Sequence, residues 1–275
     1  MNYPKVSVVI AAGRPNSIYE ESLKKQKYLN YEIIPIKGCR AAKARNLGIK
    51  EAKGEIIAFI DDDVALPETW MEAGVRCLEE NRADIAGGPN IIFPTAPLGE
   101  RISDFLISTP IFNGFRKKFL KKPAGFSSYK DFATCNIMIR RDVFDKVGYF
   151  DEKYPYGEDM DFLLRCSMKG LIFYYSPYCF LYHKRRSFPF THMRQMFFWG
   201  RANMQLALNY PFIFKRIDIW GSLIFFPISL TMLYFYFMPV VIMGVVLFPI
   251  VLHFLSYALG VVTGLIIFLR DRKQC

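Results

Sequence analysis

The sequence predicts an α/β domain with a mostly parallel sheet, followed by two membrane-spanning helices towards its C-terminal end. Near-continuous β-branched runs, such as residues 6–10 and 55–60, are typical of parallel strands that are covered on both faces. Residues 221–269 contain no Asp, Glu, Lys or Arg. A spanning helix needs about 20 residues, so this run is long enough for a helical hairpin.

Composition favours a membrane over nucleic acid as the partner of this basic chain. Its 275 residues allow one α/β domain with an appendage, and its net charge is +11. Basic residues at 215–216 and 270–273 flank the apolar run, and such clusters mark the cytoplasmic side of spanning helices. We therefore expect membrane lipid as a partner, no nucleic acid, and both ends of the hairpin in the cytoplasm.

Two further features concern the membrane half. Pro239 and Pro249 are candidate break points between the two helices, and a re-entrant hairpin is an alternative to a full crossing. Residues 190–210 mix apolar side chains with Arg194 and Arg201, which predicts an amphipathic helix lying in the membrane interface. An ordinary helix that caps the domain fits the same pattern.

The cysteines and the N-terminal residues both indicate a cytosolic domain. The six cysteines have no CxxC or other metal-ligand spacing, and most lie in apolar segments, so we interpret them as reduced core residues. The first strand begins near Lys5, and the few residues before it are too short and polar for a targeting segment.

The first half of the domain alternates strands and helices. The strand at 6–10 ends in a breaker-rich turn at 11–15, which is a candidate nucleotide contact because ligands of open α/β sheets gather beyond the carboxyl ends of strands. Residues 31–36 predict the second strand, 39–53 a helix and 55–60 the third strand.

Three adjacent carboxylates, Asp61, Asp62 and Asp63, end the third strand. They repel one another, and a divalent cation such as Mg²⁺ or Mn²⁺ removes the conflict because these ions prefer carboxylate and phosphate oxygens. In an extended D-x-D segment the first and third side chains point the same way. We expect Asp61 to reach the sugar of a nucleotide and Asp61 and Asp63 to serve as metal ligands. An acidic surface loop or a helix cap before Pro67 is the alternative.

The second half adds further candidate site residues. A helix begins near Pro67, and strands are predicted at 84–86, 132–139 and 171–175. The polar candidates are Asn136 within the second of these strands, Glu158 and Asp159 at the start of a helix that continues to residue 169, and His183 and Arg186 after the last strand. The two acids fit either helix capping or general-base catalysis, and His183 is either a metal ligand or structural.

The ordered motifs resemble those of family 2 glycosyltransferases across about residues 4–186. They are residues 6–10 (VSVVI), 44–48 (ARNLG), 54–63 (GEIIAFIDDD), 148–152 (GYFDE) and 157–159 (GED). The resemblance implies a GT-A nucleotide-diphospho-sugar transferase fold, a nucleotide-sugar donor, and inversion at the anomeric carbon by direct displacement.

Individual site residues follow from the resemblance. Asp61 and Asp63 match the D-x-D motif, Asp159 matches the catalytic base, and Glu158 would orient the acceptor or the base. The predicted metal ligands are Asp61, Asp63 and His183. The predicted nucleotide-sugar contacts are Ala11, Ala12, Gly13, Arg14, Arg45, Asp61, Asp62, Asn136 and Arg186.

Two departures from the family pattern bear on the substrate. The segment after the second strand, residues 36–40 (IKGCR), lacks the usual acid and Gly-Ser turn, so UDP, GDP and dTDP all stay open, with UDP favoured. The Gln-x-x-Arg-Trp motif of processive synthases is missing, which favours transfer of one sugar per acceptor.

These observations predict a catalytic domain at 1–189, an interfacial helical segment at 190–218 and two spanning helices at 219–275. The expected reaction is metal-dependent transfer from a nucleotide-sugar to a lipid-linked or glycan acceptor at the cytoplasmic membrane face. A sugar-phosphate nucleotidyltransferase is one alternative. A non-catalytic membrane scaffold with a degenerate transferase domain is the other.

Overall fold

The computed structural model describes residues 3–11, 18–109, 117–119, 122–211 and 240–272. The chain divides into two compact units. The first consists of Met1–Ala96 and Ile107–Lys184, and the second of Pro97–Leu106 and Arg185–Cys275. Residues 97–106 thus group with the C-terminal unit, and the predicted catalytic domain at 1–189 stays a prediction.

The first unit is built on a seven-stranded sheet with the order β2-β1-β3-β8-β5-β9-β7. Five strands run in one direction, whereas β8 and β7 run antiparallel to their neighbours. The strands are β1 (Val6–Ala11), β2 (Tyr31–Ile36), β3 (Ile56–Asp61), β5 (Ile85–Gly87), β7 (Gly125–Phe126), β8 (Asn136–Arg140) and β9 (Phe173–Tyr175).

A second, three-stranded sheet lies in the same unit, with the order β4-β10-β6. It consists of β4 (Val64–Ala65), β6 (Asn90–Ile91) and β10 (Leu181–His183). β4 starts directly after the carboxylate cluster at the end of β3. Its pairing with β10 therefore places His183 next to that cluster.

The helices of the described residues belong to both units, and the last two of them lie in the second unit. The helices are α1 (Tyr19–Lys24), α2 (Ala41–Glu51), α3 (Trp70–Glu80), α4 (Leu98–Ser108), α5 (Asp142–Val147), α6 (Glu158–Met168), α7 (Phe190–Asn209) and α8 (Val240–Arg272). Residues of β1 and β3 form the centre of the core, with Val8, Ala58 and Phe59 completely buried. This burial explains their near-continuous apolar sequence.

The predicted strands at 6–10, 31–36 and 55–60 are confirmed within one residue. The strand predicted at 132–139 is wrong at its start, because β8 begins only at Asn136. The preceding residues form a turn in which the backbone N–H of Asn136 donates to the carbonyl of Ala133 at 3.0 Å.

The second unit contains two helices that pack closely along each other. Gly200 of α7 faces the backbone of Tyr257, and Gly260 of α8 faces the backbone of Phe197, so a Cβ at either glycine would clash. His192 and His253 also share a hydrogen bond of 2.9 Å across this interface. The helix predicted at 190–210 therefore exists as α7, and its placement in a membrane interface stays a prediction.

Helix α8 continues through Pro249, so the prediction of a break at that residue is wrong. An α-helix tolerates a proline when the loss of one backbone hydrogen bond is offset by packing. Among the residues that the structure describes, one segment, Phe248–Asp271, is long and apolar enough to cross a membrane. Pro239 and the first predicted spanning helix lie outside the described residues.

A polar network joins the starts of β1, β2 and β3. The Glu32 carboxylate accepts hydrogen bonds from Lys5 Nζ at 2.8 Å, Ser7 Oγ at 2.6 Å and the backbone N–H of Lys53 at 2.7 Å. Burial by itself would raise the pKa of Glu32, but these hydrogen bonds outweigh burial and lower the pKa to about 2.

We expect Glu32→Gln to destabilise the protein by about 1–3 kcal/mol near neutral pH, since a charged acceptor of three hydrogen bonds is lost. The folded pKa lies below the unfolded value, so this stabilisation is present above about pH 4.5 and is lost as the pH falls towards about 2. Thermal melts of the purified protein from pH 7 to pH 3 measure it, with the exposed Glu51→Gln as the control. A melting-temperature difference that stays constant with pH would contradict this.

Candidate active site

The carboxylate cluster lies where β3 leaves the sheet. Asp61 is the last residue of β3 and remains partly exposed, with 34% of its side-chain surface accessible. Asp62 and Asp63 form the turn into β4 and are buried. Asp61 also lies beside Ala11 in the register of β1 and β3, so the predicted contact Ala11 borders the cluster.

Strand pairing brings His183 to the same place. In the β4–β10 ladder His183 lies opposite Val64, and the backbone N–H of Lys184 donates to the Asp63 carbonyl at 3.0 Å. His183 Nε2 is 3.1 Å from Asp63 Oδ1 and 4.0 Å from Asp61 Oδ2. The three predicted metal ligands therefore converge, although 120 residues separate Asp63 from His183 in the sequence.

Arg45 of α2 connects this cluster to α6. Its guanidinium is buried, with Nη1 2.5 Å from Glu158 Oε1 and Nη2 3.4 Å from Asp61 Oδ1. Desolvation alone would lower the pKa of Arg45, but Glu158, Asp61 and Asp159 raise it overall. Arg45 was predicted to contact the nucleotide, and the structure shows it holding two carboxylates of the protein.

The predicted catalytic base Asp159 and its neighbour Glu158 begin α6. Gly157 adopts a left-handed conformation with φ of +81°, which turns the chain so that Glu158 and Asp159 open the helix. Asp159 Oδ1 accepts a hydrogen bond from the backbone N–H of Met160 at 2.8 Å. Carboxylates in a first turn are stabilised by the helix dipole, so the capping interpretation and a catalytic role are compatible.

The carboxylates of the site disfavour one another's charge. Burial raises the pKa of Glu158, with Asp159 adding to the effect and Arg45 opposing it. Desolvation also raises the pKa of Asp61; Arg45 and His183 oppose this, whereas Asp63 and Asp159 add to it. Arg45 interacts with the charges of Glu158, Asp61 and Asp159, and Asp63 adds negative charge beside Asp61, so one guanidinium does not offset these carboxylates when all are ionised. The site is therefore suited to a divalent cation.

Asn136 does not fit its predicted role as a nucleotide contact. Its side chain is 1% exposed, and Nδ2 donates to the carbonyls of Gly88 at 3.0 Å and Cys179 at 2.9 Å. Its Oδ1 accepts from Trp70 Nε1 at 2.9 Å. Asn136 therefore has a structural role, because buried loop carbonyls need donors and an amide supplies two.

Cys135, which the sequence did not suggest, lies beside the cluster. One ligand atom from each of Asp61, Cys135 and His183 lies within 4.8 Å of the others. The spacing of the cysteines along the sequence could not indicate this, because the three residues come from separate strands or turns.

Four predicted contacts cannot be placed in the site. Ala12, Gly13 and Arg14 lie outside the described residues. Arg186 belongs to the second unit, and its nucleotide contact stays a prediction.

The domain has a mixed sheet between helices, carboxylates at the end of a central strand, and a nearby helix that begins with two acidic residues. This arrangement is typical of GT-A glycosyltransferases. The chain belongs to the glycosyl transferase family group 2, whose sequence model matches residues 56–266. The predicted fold and transferase class are therefore confirmed, and the nucleotidyltransferase alternative is set aside.

Curated relatives and a solved structure agree with this assignment. The chain is 30% identical to glycosyltransferase AglE of Haloferax volcanii over 127 residues, which are 46% of this chain and 38% of that protein. It is 24% identical to chondroitin synthase of Pasteurella multocida over 199 residues, 62% of this chain and 21% of that protein. It thus spans less than half the length of these two relatives.

The structural likeness concerns the fold. Mannosyltransferase PcManGT from Pyrobaculum calidifontis, solved in complex with GDP-Man and Mn²⁺, superposes with a TM-score of 0.62. The match covers 95% of this chain and 88% of that chain at 12% sequence identity.

We expect Arg45→Met to destabilise the protein by about 3–5 kcal/mol, because it leaves the buried Glu158 carboxylate without its partner. Combining it with Glu158→Gln removes the uncompensated charge, so the double variant is more stable than Arg45→Met alone. Thermal or urea unfolding of the four proteins measures the coupling.

The matched control is Arg76→Met, which breaks an exposed pair with Glu72 at 3.0 Å. Such surface pairs contribute about 1 kcal/mol or less. Equal losses for Arg45→Met and Arg76→Met would show that the buried pair is not a stabilising element.

Proposed function

We propose that the protein transfers one sugar, with inversion, from a nucleotide-diphospho-sugar to an acceptor hydroxyl at the cytoplasmic face of a membrane. The observation that carries this proposal is the convergence of Asp61, Asp63 and His183 with Arg45, Glu158 and Asp159 at the end of β3. Support for the donor class comes from PcManGT, a protein of similar fold that was solved with GDP-Man and Mn²⁺.

The donor half of the proposed site is the cluster at the β3–β4 turn. Its carboxylate oxygens and one imidazole nitrogen are ligands that Mn²⁺ accepts, and Mg²⁺ would use the carboxylates. A divalent ion held by Asp61, Asp63 and His183 would neutralise charge on the departing nucleoside diphosphate. Asp62 and Ala11 border this position, and the nucleotide base stays open among UDP, GDP and dTDP, with UDP favoured.

The acceptor half of the proposed site is the first turn of α6. As an acceptor hydroxyl oxygen attacks the anomeric carbon and the bond to the diphosphate breaks, Asp159 takes the hydroxyl proton. The neighbouring Glu158 is bound to Arg45, which ties the first turn of α6 to α2 and to the end of β3. In this role Arg45 and Glu158 are positioning residues that hold Asp159 in place relative to the donor.

The acceptor is proposed to be lipid-linked. A lipid-linked glycan or a glycolipid offers the hydroxyl whose proton Asp159 takes, whereas a polyprenyl phosphate would attack through an ionised phosphate oxygen and would not need that base. In the most apolar stretch of Phe248–Asp271 only 28% of the residues are buried within the protein, which leaves apolar surface for lipid. We propose the catalytic domain at 1–189, an interfacial segment at 190–218 and a multi-pass anchor at 219–275. An acceptor that arrives from the bilayer would then meet a catalytic domain held at the membrane surface.

We expect Asp159→Asn to bind the donor normally and to transfer sugar at least about 100-fold more slowly, since general bases contribute about 10²–10⁴-fold. Release of nucleoside diphosphate from membranes supplied with UDP-, GDP- or dTDP-sugars measures the rate. Asp145→Asn, an exposed acid on α5, is the control. Full transfer by a folded Asp159→Asn protein would remove Asp159 from its proposed role.

We expect Asp63→Asn to lose metal-dependent donor binding. With ligand at about 100 times Kd, binding stabilises the native protein by about 2.7 kcal/mol, so the wild type melts at a higher temperature with donor and Mn²⁺ together. EDTA and Asp63→Asn should each abolish that increase. An increase that survives both treatments would rule out the metal.

A further inference from the structure

Cys135 brings a thiol to a site whose other groups are carboxylates and an imidazole. The Cys135 sulfur, an Asp61 oxygen and a His183 ring nitrogen lie within 4.8 Å of one another. We propose that these three side chains form a binding site for a thiophilic divalent cation, with Zn²⁺ as the ion it fits best. Zn²⁺ bound there would occupy part of the donor-side metal site and inhibit sugar transfer.

The backbone around each of the three side chains is held in place by neighbouring hydrogen bonds or strand pairing. Asn136 anchors the residue next to Cys135 through its hydrogen bonds to Trp70, Gly88 and Cys179. The ladder between β10 and β4 holds His183, and the end of β3 holds Asp61. Asp61 and His183 lie on paired strands and Cys135 directly precedes one, and ligands placed on strands keep their geometry better than ligands on loops.

The spacing suits an ion after a small contraction. With Zn–S near 2.3 Å and Zn–N or Zn–O near 2.0–2.2 Å, the ligand atoms of a tetrahedral site are about 3.3–3.8 Å apart. The observed limit of 4.8 Å therefore requires movements of about 1 Å, which rotations of the partly exposed Asp61 and His183 side chains supply. A water molecule or Asp63 would complete the fourth position.

A neighbouring amide supports thiolate ligation. Asn90 Nδ2 is 3.1 Å from Cys135 Sγ and is placed to donate to the sulfur. When the cation binds, a metal–sulfur bond forms and the thiol proton passes to solvent. The hydrogen bond from Asn90 then stabilises the negative sulfur, as groups around metal ligands commonly do.

Ligand softness predicts which ion this set prefers. A thiolate raises affinity for Zn²⁺ and Co²⁺ much more than for Mg²⁺ or Mn²⁺, and Zn²⁺ exceeds Mn²⁺ in the general order of affinities. The ion proposed for the donor uses Asp61, Asp63, His183 and phosphate oxygens, whereas Zn²⁺ would draw Asp61 and His183 away from Asp63 and towards Cys135. Only the inhibition rests on the proposed function, since metal binding can be measured without a donor.

The test is a Co²⁺ titration of the purified full-length chain in detergent without nucleotide-sugar. Thiolate ligation produces a near-ultraviolet charge-transfer band, which we expect in the wild type and in the control Cys39→Ser, whose thiol is exposed. The band should be absent in Cys135→Ser and should disappear from the wild type when Zn²⁺ is added. Competition with a chromophoric chelator should show Zn²⁺ affinity at least about tenfold weaker in Cys135→Ser.

A wild type without the band, or a band unchanged in Cys135→Ser, would overturn the inference. The cobalt charge-transfer band of the wild type is measured without any variant. A Cys135→Ser protein that fails to fold therefore does not affect the wild-type result. Mn²⁺ binding, followed by the loss of the free-ion paramagnetic resonance signal, separates the two proposals. Mn²⁺ binding with transfer but no cobalt band refutes only the thiol site, whereas a cobalt band without transfer refutes only the proposed function.

Discussion

The buried guanidinium of Arg45 is the contact on which the site depends. It joins the last residue of β3 to the first residue of α6 through Asp61 and Glu158, which lie 97 positions apart in the sequence. Without a cation at this point, these carboxylates would repel each other in a region with little water to screen them. The geometry that places Asp159 beside the carboxylate cluster therefore requires the arginine supplied by α2.

The antiparallel direction of β8 determines which residues meet the end of β3. Because Asn136 pairs with Ile60, the beginning of β8 lies at the same edge as the end of β3. A parallel strand would have brought its last residues there instead. The antiparallel direction of β8 places Asn136 where its side chain donates to the carbonyls of Gly88 and Cys179. It also places Cys135 beside Asp61.

The fold and the site could be predicted from the sequence only where the interacting residues lie close together along the chain. Apolar runs such as residues 6–10 depend on burial of the strand itself, so sequence alone predicted β1, β2 and β3 closely. The acids at 61–63 and 158–159 were also visible because each group is contiguous. Strand direction and pairing depend on distant segments, so the sequence could not show that Cys135 borders the cluster or that Arg45 binds Glu158.

The negative charge of the site also affects how a nucleotide-sugar donor and a metal ion would bind there. A nucleoside diphosphate is itself strongly anionic, and a site in which several carboxylates lie around one guanidinium would repel it. A divalent cation reverses the sign of this interaction for the phosphates nearest to Asp61 and Asp63. If the proposed function holds, donor and metal therefore bind as a coupled pair. Desolvation is the largest cause of the raised pKa of Asp61, with Asp63 and Asp159 adding to it, and a proton and a metal ion would compete for that carboxylate.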